Sequence, residues 1–245
     1  MTPLSNTQIK LIRSLARKKE REACGLFVVE GEKLVTEALR SGWEVTDVYR
    51  LEEIGEKAME RISLLSSPSP ALALVRIPAP APLALPDKGL YLALDGIRDP
   101  GNLGTILRIA DWFGIDGVFL SPDTADPFNP KVVQATMGAL FRVPFHTAAI
   151  PELCRAVAAK GGRVFGTFLD GENLYRRDLS DGAEAPALIV IGNEANGISA
   201  ETAAAVTDRL FIPPFPIDDP GSESLNAAVA TAVTVAEFRR RQQIL

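Results

Sequence analysis

Downstream of residue 89, short apolar segments alternate with segments of helical periodicity, and this alternation restricts the fold more than any other feature. Strands are predicted at residues 91–94, 118–120, 164–168, 188–191 and 210–212. Helices are predicted between them, for example at 103–113, 130–140 and 152–160, and a long helix at 224–241 closes the chain. The pattern predicts an α/β domain with a mostly parallel sheet that is covered by helices on both faces.

A proline-rich segment separates this part of the chain from the N-terminal residues. Residues 78–82 read Pro-Ala-Pro-Ala-Pro, which continues neither helix nor sheet and favours an extended polyproline II spacer. We therefore predict a small α/β domain at 1–77, a linker at 78–88 and a larger α/β domain at 89–245.

The first predicted helix, over residues 7–21, has an apolar face and a basic face. Its apolar positions are Ile9, Ile12 and Leu15. Its cations are Lys10, Arg13, Arg17, Lys18, Lys19 and Arg21. The whole chain is acidic, with a net charge of −5 and a pI of about 5.1, but salt screens charges beyond about 8–10 Å, so a local patch acts on its own. Two interpretations stay open: a solvated helix face, or a surface that follows RNA phosphates.

Composition disfavours several classes of protein. No apolar run approaches the roughly 18–20 residues of a membrane span, and the N-terminus lacks the apolar segment of a secretory signal. Cys24 and Cys154 match no metal-ligand spacing, and the single histidine, His146, has no evident acid or nucleophile beside it. We expect a cytoplasmic protein with neither a metal site nor a histidine-based catalytic centre.

Three loops that follow predicted strands carry the candidate site, because open α/β sheets bind ligands beyond the carboxyl ends of their strands. The loops are residues 95–104, 192–199 and 212–226. Each also has an ordinary structural explanation. These alternatives are a helix cap at Asn102, tight turns at Gly192 and Gly197, and a cap of the last helix at Ser222 or Ser224.

Arg108 is harder to explain by structure alone. It interrupts the apolar sequence Ile-Leu-Arg-Ile-Ala at 106–110, so packing this helix risks burying an unpaired cation. Asp111 could pair with it and Trp112 could stack on it. A nicotinamide-dependent oxidoreductase is disfavoured, because the first loop lacks the glycine pattern that binds a dinucleotide.

Together the three loops resemble the three motifs of the SpoU (TrmH-like) RNA 2′-O-ribose methyltransferases of the SPOUT superfamily. Residues 102–110, Asn-Leu-Gly-Thr-Ile-Leu-Arg-Ile-Ala, are similar to the first motif. Residues 191–198, with their glycine–glutamate–glycine pattern, are similar to the second. Ile212-Pro213 and Ser224-Leu225-Asn226 are similar to the third, although the segment between them is longer than in many relatives. The N-terminal residues, especially 27–31, resemble the family's small L30e-like substrate-binding domain.

The resemblance implies a SPOUT catalytic domain with a C-terminal trefoil knot, a homodimer with sites at the subunit interface, and S-adenosylmethionine as cofactor. Carried over residue by residue, it implies a cofactor pocket lined by Gly192, Ile212 and Leu225. It implies an active site formed by Asn102, Arg108, Glu194, Ser224 and Asn226. Arginine is a poor base, so Arg108 is expected to position RNA phosphate and favour the developing alkoxide, although a base role also stays open. Glu194 is expected to orient Asn102 or Arg108.

The predicted function is therefore methyl transfer from S-adenosylmethionine to a ribose 2′-hydroxyl of structured RNA. Ribosomal RNA is favoured because the N-terminal domain resembles those of family members that act on it. The alternatives are a tRNA 2′-O-methyltransferase and a non-catalytic RNA-binding ribosome assembly factor of the same fold. The predicted RNA-binding residues are Lys10, Arg13, Arg17, Lys18 and Lys19.

Overall fold

The chain forms two compact units, Met1–Pro80 with Asp126–Arg142, and Ala81–Ala125 with Val143–Leu245. The computed structural model describes residues 4–79, 87–179, 184–216 and 224–242. Asp126–Arg142 lies inside the predicted domain at 89–245, yet it packs within the first unit. Most of the predicted linker at 78–88 lies outside the described residues, so its polyproline conformation stays a prediction.

Downstream of residue 89, the helices and strands follow one another in an order close to the predicted alternation. In chain order the elements of the described residues are α1 (Asn6–Ser14), α2 (Lys18–Cys24), β1 (Leu26–Glu30), α3 (Glu32–Arg40), β2 (Val45–Arg50), α4 (Leu51–Ile54), α5 (Glu56–Ile62), β3 (Ala71–Arg76), β4 (Leu90–Asp95), α6 (Pro100–Trp112), β5 (Gly117–Leu120), α7 (Pro130–Thr136), a 3-10 turn (Ala139–Phe141), β6 (Phe145–Thr147), α8 (Ile150–Ala159), β7 (Arg163–Asn173), β8 (Ala187–Gly192), α9 (Ala200–Ala203), β9 (Asp208–Phe211) and α10 (Ala227–Gln242).

The first unit is built on a three-stranded antiparallel sheet in the order β1-β3-β2. One side of the sheet packs with α1 and α5 in a core that includes Val28, Leu72 and Leu74. The predicted apolar positions of the first helix are confirmed: Ile9, Ile12 and Leu15 are all buried in this core.

The prediction of one helix over residues 7–21 is wrong, because the chain breaks between α1 and α2 to bury Arg21. The Arg21 side chain is 2 % exposed and pairs with the carboxylate of Asp126. Its guanidinium also donates to the carbonyls of Leu15 at 2.8 Å and Ala16 at 2.9 Å. A buried cation is tolerated only when it is paired and hydrogen-bonded in this way. Arg21 is therefore a structural residue and does not belong to the basic surface.

The second unit is built on a six-stranded sheet in the order β6-β5-β4-β8-β7-β9, in which every neighbouring pair is parallel. Successive residues of a strand point to opposite faces. Val164 packs in the core beneath α8, whereas the next residue, Phe165, contacts Phe238 of α10 at 5.0 Å between ring centroids. Helices thus cover both faces, and the predicted α/β fold with a parallel sheet is confirmed.

Candidate active site

The three predicted loops leave the same edge of the six-stranded sheet. Asp95 lies opposite Gly192 where β4 and β8 end. β7 lies between β8 and β9 and runs parallel to both. Because the carboxyl ends of parallel strands meet at one edge, loops 95–104, 192–199 and 212–226 begin there together. Within the third loop, residues 217–223 lie outside the described part of the chain.

Asn102 lies in the first turn of α6 but does not cap it. The cap is Asp99, whose Oδ1 accepts the backbone N–H of Asn102 at 2.8 Å, and Pro100 occupies the first turn where no N–H donor is needed. The alternative explanation of Asn102 as a helix cap is therefore wrong. Its side chain is left to contact the other loops.

The Asn102 side chain joins all three loops. Its Nδ2 donates a hydrogen bond to the carboxylate of Glu194 in the second loop. Its Oδ1 accepts a hydrogen bond of 2.9 Å from Nδ2 of Asn226 in the third loop. Of the two partners that the sequence left open for Glu194, the contact is to Asn102.

Residues 193–197 form a closed turn that presents Glu194. Asn193 and Gly197 exchange backbone hydrogen bonds of 3.0 and 2.8 Å. Gly197 has a φ of +67°, which favours glycine, and a Cβ on Gly192 would lie 2.3 Å from the backbone of Gly197. The turn itself therefore requires both glycines, which agrees with the alternative that Gly192 and Gly197 allow tight turns.

Two further hydrogen bonds, absent from the sequence prediction, tie the second loop to the first. Nδ2 of Asn193 donates to the Gly96 carbonyl at 2.7 Å, and the backbone N–H of Ser199 donates to Oδ2 of Asp95 at 2.8 Å. Asparagine at the start of a turn commonly accepts a hydrogen bond from the backbone N–H two residues further on, so the sequence carried a signal for the role of Asn193 in the turn but none for its contact with Gly96.

In the third loop, Asn226 caps the last helix, the role that the sequence had left to Ser222 or Ser224. Its Oδ1 accepts the backbone N–H groups of Ala228 at 3.0 Å and Val229 at 3.3 Å. Ser224 lies just before it and is exposed, and Ser222 lies outside the described residues. Asn102 thus contacts both Glu194 and Asn226, and Ser224 lies two residues before Asn226 in the chain.

Helices α6 and α10 lie side by side and run in the same direction. At their N-terminal ends Asn226 contacts Asn102. At their C-terminal ends Arg239 of α10 donates to the carbonyls of Phe113, at 2.8 Å, and Gly114, which end α6. A cation at the C-terminus of a helix is stabilising, because the last carbonyls and the helix dipole are negative there.

Arg108 is exposed, so the expected risk of burying a cation does not arise. Within the ranges that the structure describes, its guanidinium has no hydrogen-bond or ion-pair partner and no ring stacked on it. Trp112, one turn further along α6, is itself 85 % exposed. Neither local partner suggested by the sequence accounts for Arg108, whose guanidinium is open to a ligand.

The three predicted cofactor-lining residues occupy the same edge of the sheet. Gly192 ends β8, and Ile212 follows β9 directly. Both are half-buried, whereas the Leu225 side chain, just before α10, is 47 % exposed. The edge therefore combines backbone polar groups with an apolar side chain that is not covered.

The five predicted RNA-binding cations lie in the first unit, on α1, on α2 and at the break between them. All are exposed: Lys10, Arg13, Arg17, Lys18 and Lys19. Arg13 also donates to the Ser63 carbonyl at 3.1 Å. Arg17 pairs with Glu20 at 3.4 Å and Lys18 with Glu22 at 3.8 Å, so part of this positive charge is offset locally.

The histidine and the two cysteines lie outside the three loops. His146 stacks on Phe119 at 6.1 Å between ring centroids. Cys24 and Cys154 are free thiols, and burial raises the pKa of Cys154 to about 12. Among the described residues, no group of three or more His, Cys, Asp or Glu side chains could hold a metal ion. Nor does any helix in those ranges have the length and apolar character needed to cross a membrane.

The fold and the site define a class of protein: α/β enzymes that bind their ligand beyond the carboxyl edge of a parallel sheet, with a polar centre built from three loops. The profile of the SpoU rRNA Methylase family matches residues 89–236. That of the MRM3-like substrate binding domain matches residues 6–67. The chain belongs to the SpoU rRNA methylase family.

Individual relatives match this protein over almost the whole length of the chain. The 23S rRNA (guanosine(2553)-2′-O)-methyltransferase RlmP of Bacillus subtilis is 33 % identical and covers 96 % of this chain and 96 % of its own. The structure of a putative RNA methyltransferase of the TrmH family from Porphyromonas gingivalis is 41 % identical, with a TM-score of 0.85 over 97 % of this chain and 99 % of that one. An AdoMet-bound rRNA methyltransferase from Sinorhizobium meliloti is 31 % identical, with a TM-score of 0.86 over 98 % of each chain. The family resemblance read from the three loops is confirmed.

Proposed function

We propose that this protein transfers a methyl group from S-adenosylmethionine to a ribose 2′-hydroxyl of ribosomal RNA. The observation that carries the proposal is the hydrogen-bonded chain Glu194–Asn102–Asn226, which brings one polar residue from each motif loop to one edge of the sheet. Family membership, and relatives named as rRNA 2′-O-methyltransferases, support the reaction and the substrate class. AdoMet-bound structures of relatives support the cofactor.

The residues at this edge suit S-adenosylmethionine. Gly192, Ile212 and Leu225 would hold it, because fixed backbone N–H and C=O groups can read the edge of adenine while the partly exposed Leu225 offers an apolar contact to the flat ring. When bound, the cofactor supplies a methyl carbon that is already electrophilic because it is attached to a sulfonium.

The chain's own polar residues would position the ribose oxygen and help it to lose its proton. Arg108 binds a phosphate of the RNA and stabilises the developing negative charge, because the guanidinium group of arginine is a poor base. Glu194 and Asn226 fix the two ends of the Asn102 amide, so that this side chain has one orientation. Ser224 and Asn226 are hydrogen-bond partners that orient substrate groups. Holding the reacting atoms in line can lower the barrier by several kcal/mol.

The first unit would hold the RNA. Its five exposed cations, on α1, on α2 and between them, form a local basic surface on an otherwise acidic protein. Local cations displace counterions from nucleic acid and need no net positive charge on the whole protein. The match to a substrate-binding domain over residues 6–67 supports this assignment.

We further propose a homodimer whose sites are completed at the subunit interface, a C-terminal trefoil knot and a cytoplasmic location. Support for the dimer comes from Trp112, which is 85 % exposed on the helix that carries the exposed Arg108. Tryptophan and arginine are the residues most enriched at the energetic centres of protein interfaces. The cytoplasmic location is supported by the free thiols of both cysteines, because the cytoplasm is a reducing compartment.

Transfer of a labelled methyl group to purified ribosomal RNA and to tRNA tests the proposal. Wild-type protein should label ribosomal RNA at a ribose oxygen, and Asn102→Ala and Arg108→Ala should lower the rate by roughly 100-fold or more. Arg155→Ala is the matched control, because Arg155 is an exposed helical arginine that pairs only weakly with Glu201, at 3.7 Å.

Three outcomes would overturn parts of the proposal. Label on a base would refute the ribose assignment, and label in tRNA alone would replace the substrate. Calorimetry that detects no binding of S-adenosylmethionine, together with retained RNA binding, would favour a non-catalytic assembly factor.

A further inference from the structure

We propose that Asn193 is a positioning residue for methyl transfer: its side chain shapes the turn that carries Glu194 and fixes that turn to the first loop, so that Glu194 meets Asn102. The inference rests on the proposed function. Asn193 itself need not touch the RNA or the cofactor, because it acts through Glu194.

The carboxamide oxygen of Asn193 shapes the turn. Oδ1 accepts the backbone N–H of Ala195 at 2.9 Å and that of Asn196 at 3.3 Å. The backbone of Asn193 is also paired with Gly197. Glu194 lies between two residues whose backbones are held by these bonds, so the direction of its side chain is set by the turn.

The carboxamide nitrogen of Asn193 fixes this turn to the first loop. Nδ2 donates to the Gly96 carbonyl at 2.7 Å. The position of Gly96 is itself fixed, because its backbone N–H donates a buried hydrogen bond of 2.8 Å to Oγ of Ser121. Asn193 therefore uses both ends of its amide. Aspartate would retain the oxygen that shapes the turn but would set a carboxylate oxygen against the Gly96 carbonyl.

Alignment of the two loops matters because Glu194 and Asn102 are 92 positions apart in the chain. Local backbone geometry cannot bring them together, so contacts between the loops must do so. A displacement of about 1 Å in a catalytic arrangement can cost roughly 100-fold in rate. Loss of the Asn193 contacts should therefore lower kcat more than it changes RNA binding, which is assigned to other residues.

Methyl-transfer kinetics at saturating cofactor test this inference with Asn193→Ala, Asn193→Asp and Asn196→Ala. Asn196 is the matched control, because it is the same residue type in the same turn and is exposed. For both Asn193 variants we expect kcat to fall roughly 10- to 100-fold with the KM for RNA within about twofold of wild type. Asn196→Ala should behave like wild type. Equal kcat in Asn193→Ala and Asn196→Ala, or a change in KM alone, would overturn the inference.

A double variant tests whether Asn193 acts through Glu194. Adding Asn193→Ala to Glu194→Ala should cause little further loss of kcat, because residues that act as a unit are not additive. A full, independent second loss would contradict the positioning role.

NMR separates this inference from the proposed function. The signal of the Asn102 side-chain amide, measured without RNA, should shift in Asn193→Ala and stay in place in Asn196→Ala. If wild type transferred no methyl group, the proposed function would fail and the Asn102 signal alone would decide the positioning role. If Asn193→Ala did not fold, Asn193→Asp, which retains the turn oxygen, would decide it.

Discussion

At the scale of single residues, two asparagines of this site, Asn102 and Asn226, each use both the oxygen and the nitrogen of the side-chain amide. Asn226 accepts the first N–H groups of α10 with Oδ1 and donates to Asn102 with Nδ2. Asn102 in turn donates to Glu194. Helix capping requires only an oxygen, which Ser, Asp and Asn all offer, so the sequence could not decide between them. The second use of each amide depends on what lies opposite it in space.

Substitutions of Asn226 separate its two uses. Asn226→Asp retains the capping oxygen and adds negative charge at a helix N-terminus, so the free energy of unfolding should stay within about 0.5 kcal/mol of wild type. The donor to Asn102 is lost, and kcat should fall at least about tenfold. Asn226→Ala should lose activity and also about 1 kcal/mol of stability. Urea unfolding and methyl-transfer assays measure the two effects. Full activity in Asn226→Asp would show that the hydrogen bond from Asn226 to Asn102 does not contribute to catalysis.

Among the elements, the C-terminal end of α10 is tied to the sheet by a network of charged side chains. Glu237 accepts hydrogen bonds from Arg240 and Arg241, at 2.7 to 2.8 Å. Arg241 also donates to the Arg177 carbonyl, and the Arg177 side chain reaches Asp208 of β9. The network, together with the cap that Arg239 provides for α6, holds the helix that presents Asn226.

Both acids of this network have lowered pKa values. The hydrogen bond from Arg240, assisted by Arg241, lowers the pKa of Glu237 from 4.5 to about 2. Burial alone would raise the pKa of Asp208. The bonds that it accepts from Arg163, Thr207 and Arg177 outweigh burial and hold this pKa at about 2, below the usual 3.8. Both carboxylates therefore favour the folded state only while they are ionised.

Acid should weaken α10 through Glu237. Because its pKa is lower in the folded protein than in the unfolded chain, its contribution to stability is complete above about pH 4.5 and is lost as the pH falls towards about 2. Glu237→Gln should be less stable than wild type at neutral pH and should lose less stability across this window. Urea unfolding at a series of pH values measures both. Glu201→Gln is the control, since Glu201 is in an exposed pair, and a pH dependence of Glu237→Gln equal to that of wild type would refute the prediction.

For the whole molecule, the exposed face of α6 leads to a prediction about assembly. Trp112→Asp should convert the proposed dimer to a monomer and abolish methyl transfer, because a charge at the centre of an apolar interface is left unpaired when buried. Light scattering measures the mass, and circular dichroism checks that the fold is retained. Leu169→Asp is the control, since Leu169 is also exposed, at 71 %, but lies on β7. An unchanged mass for Trp112→Asp would remove α6 from the interface.

The large parallel sheet could be predicted from the sequence, because buried parallel strands are continuous apolar segments that are visible in the sequence. The sequence was also sufficient for the three loops, since each follows such a strand. It failed where one distant contact overrides local preference. The helix predicted over residues 7–21 is broken by Arg21, whose partner Asp126 lies 105 positions away. The helix predicted at 130–140 is also wrong in its end, which lies at Thr136 because Met137 adopts the left-handed conformation with a φ of +51°; a local backbone change ends this helix.

The sequence by itself therefore determined the alternation of strands and helices downstream of residue 89, the edge of the sheet that carries the site, and the family. Only the tertiary structure decided which asparagine caps α10, which partner Glu194 contacts, and that Asn193 fixes the second loop to Gly96. The physical reason is the range of the information. Propensity and periodicity depend on neighbours a few residues away, whereas the hydrogen bonds that assemble this site join residues 92 to 124 positions apart.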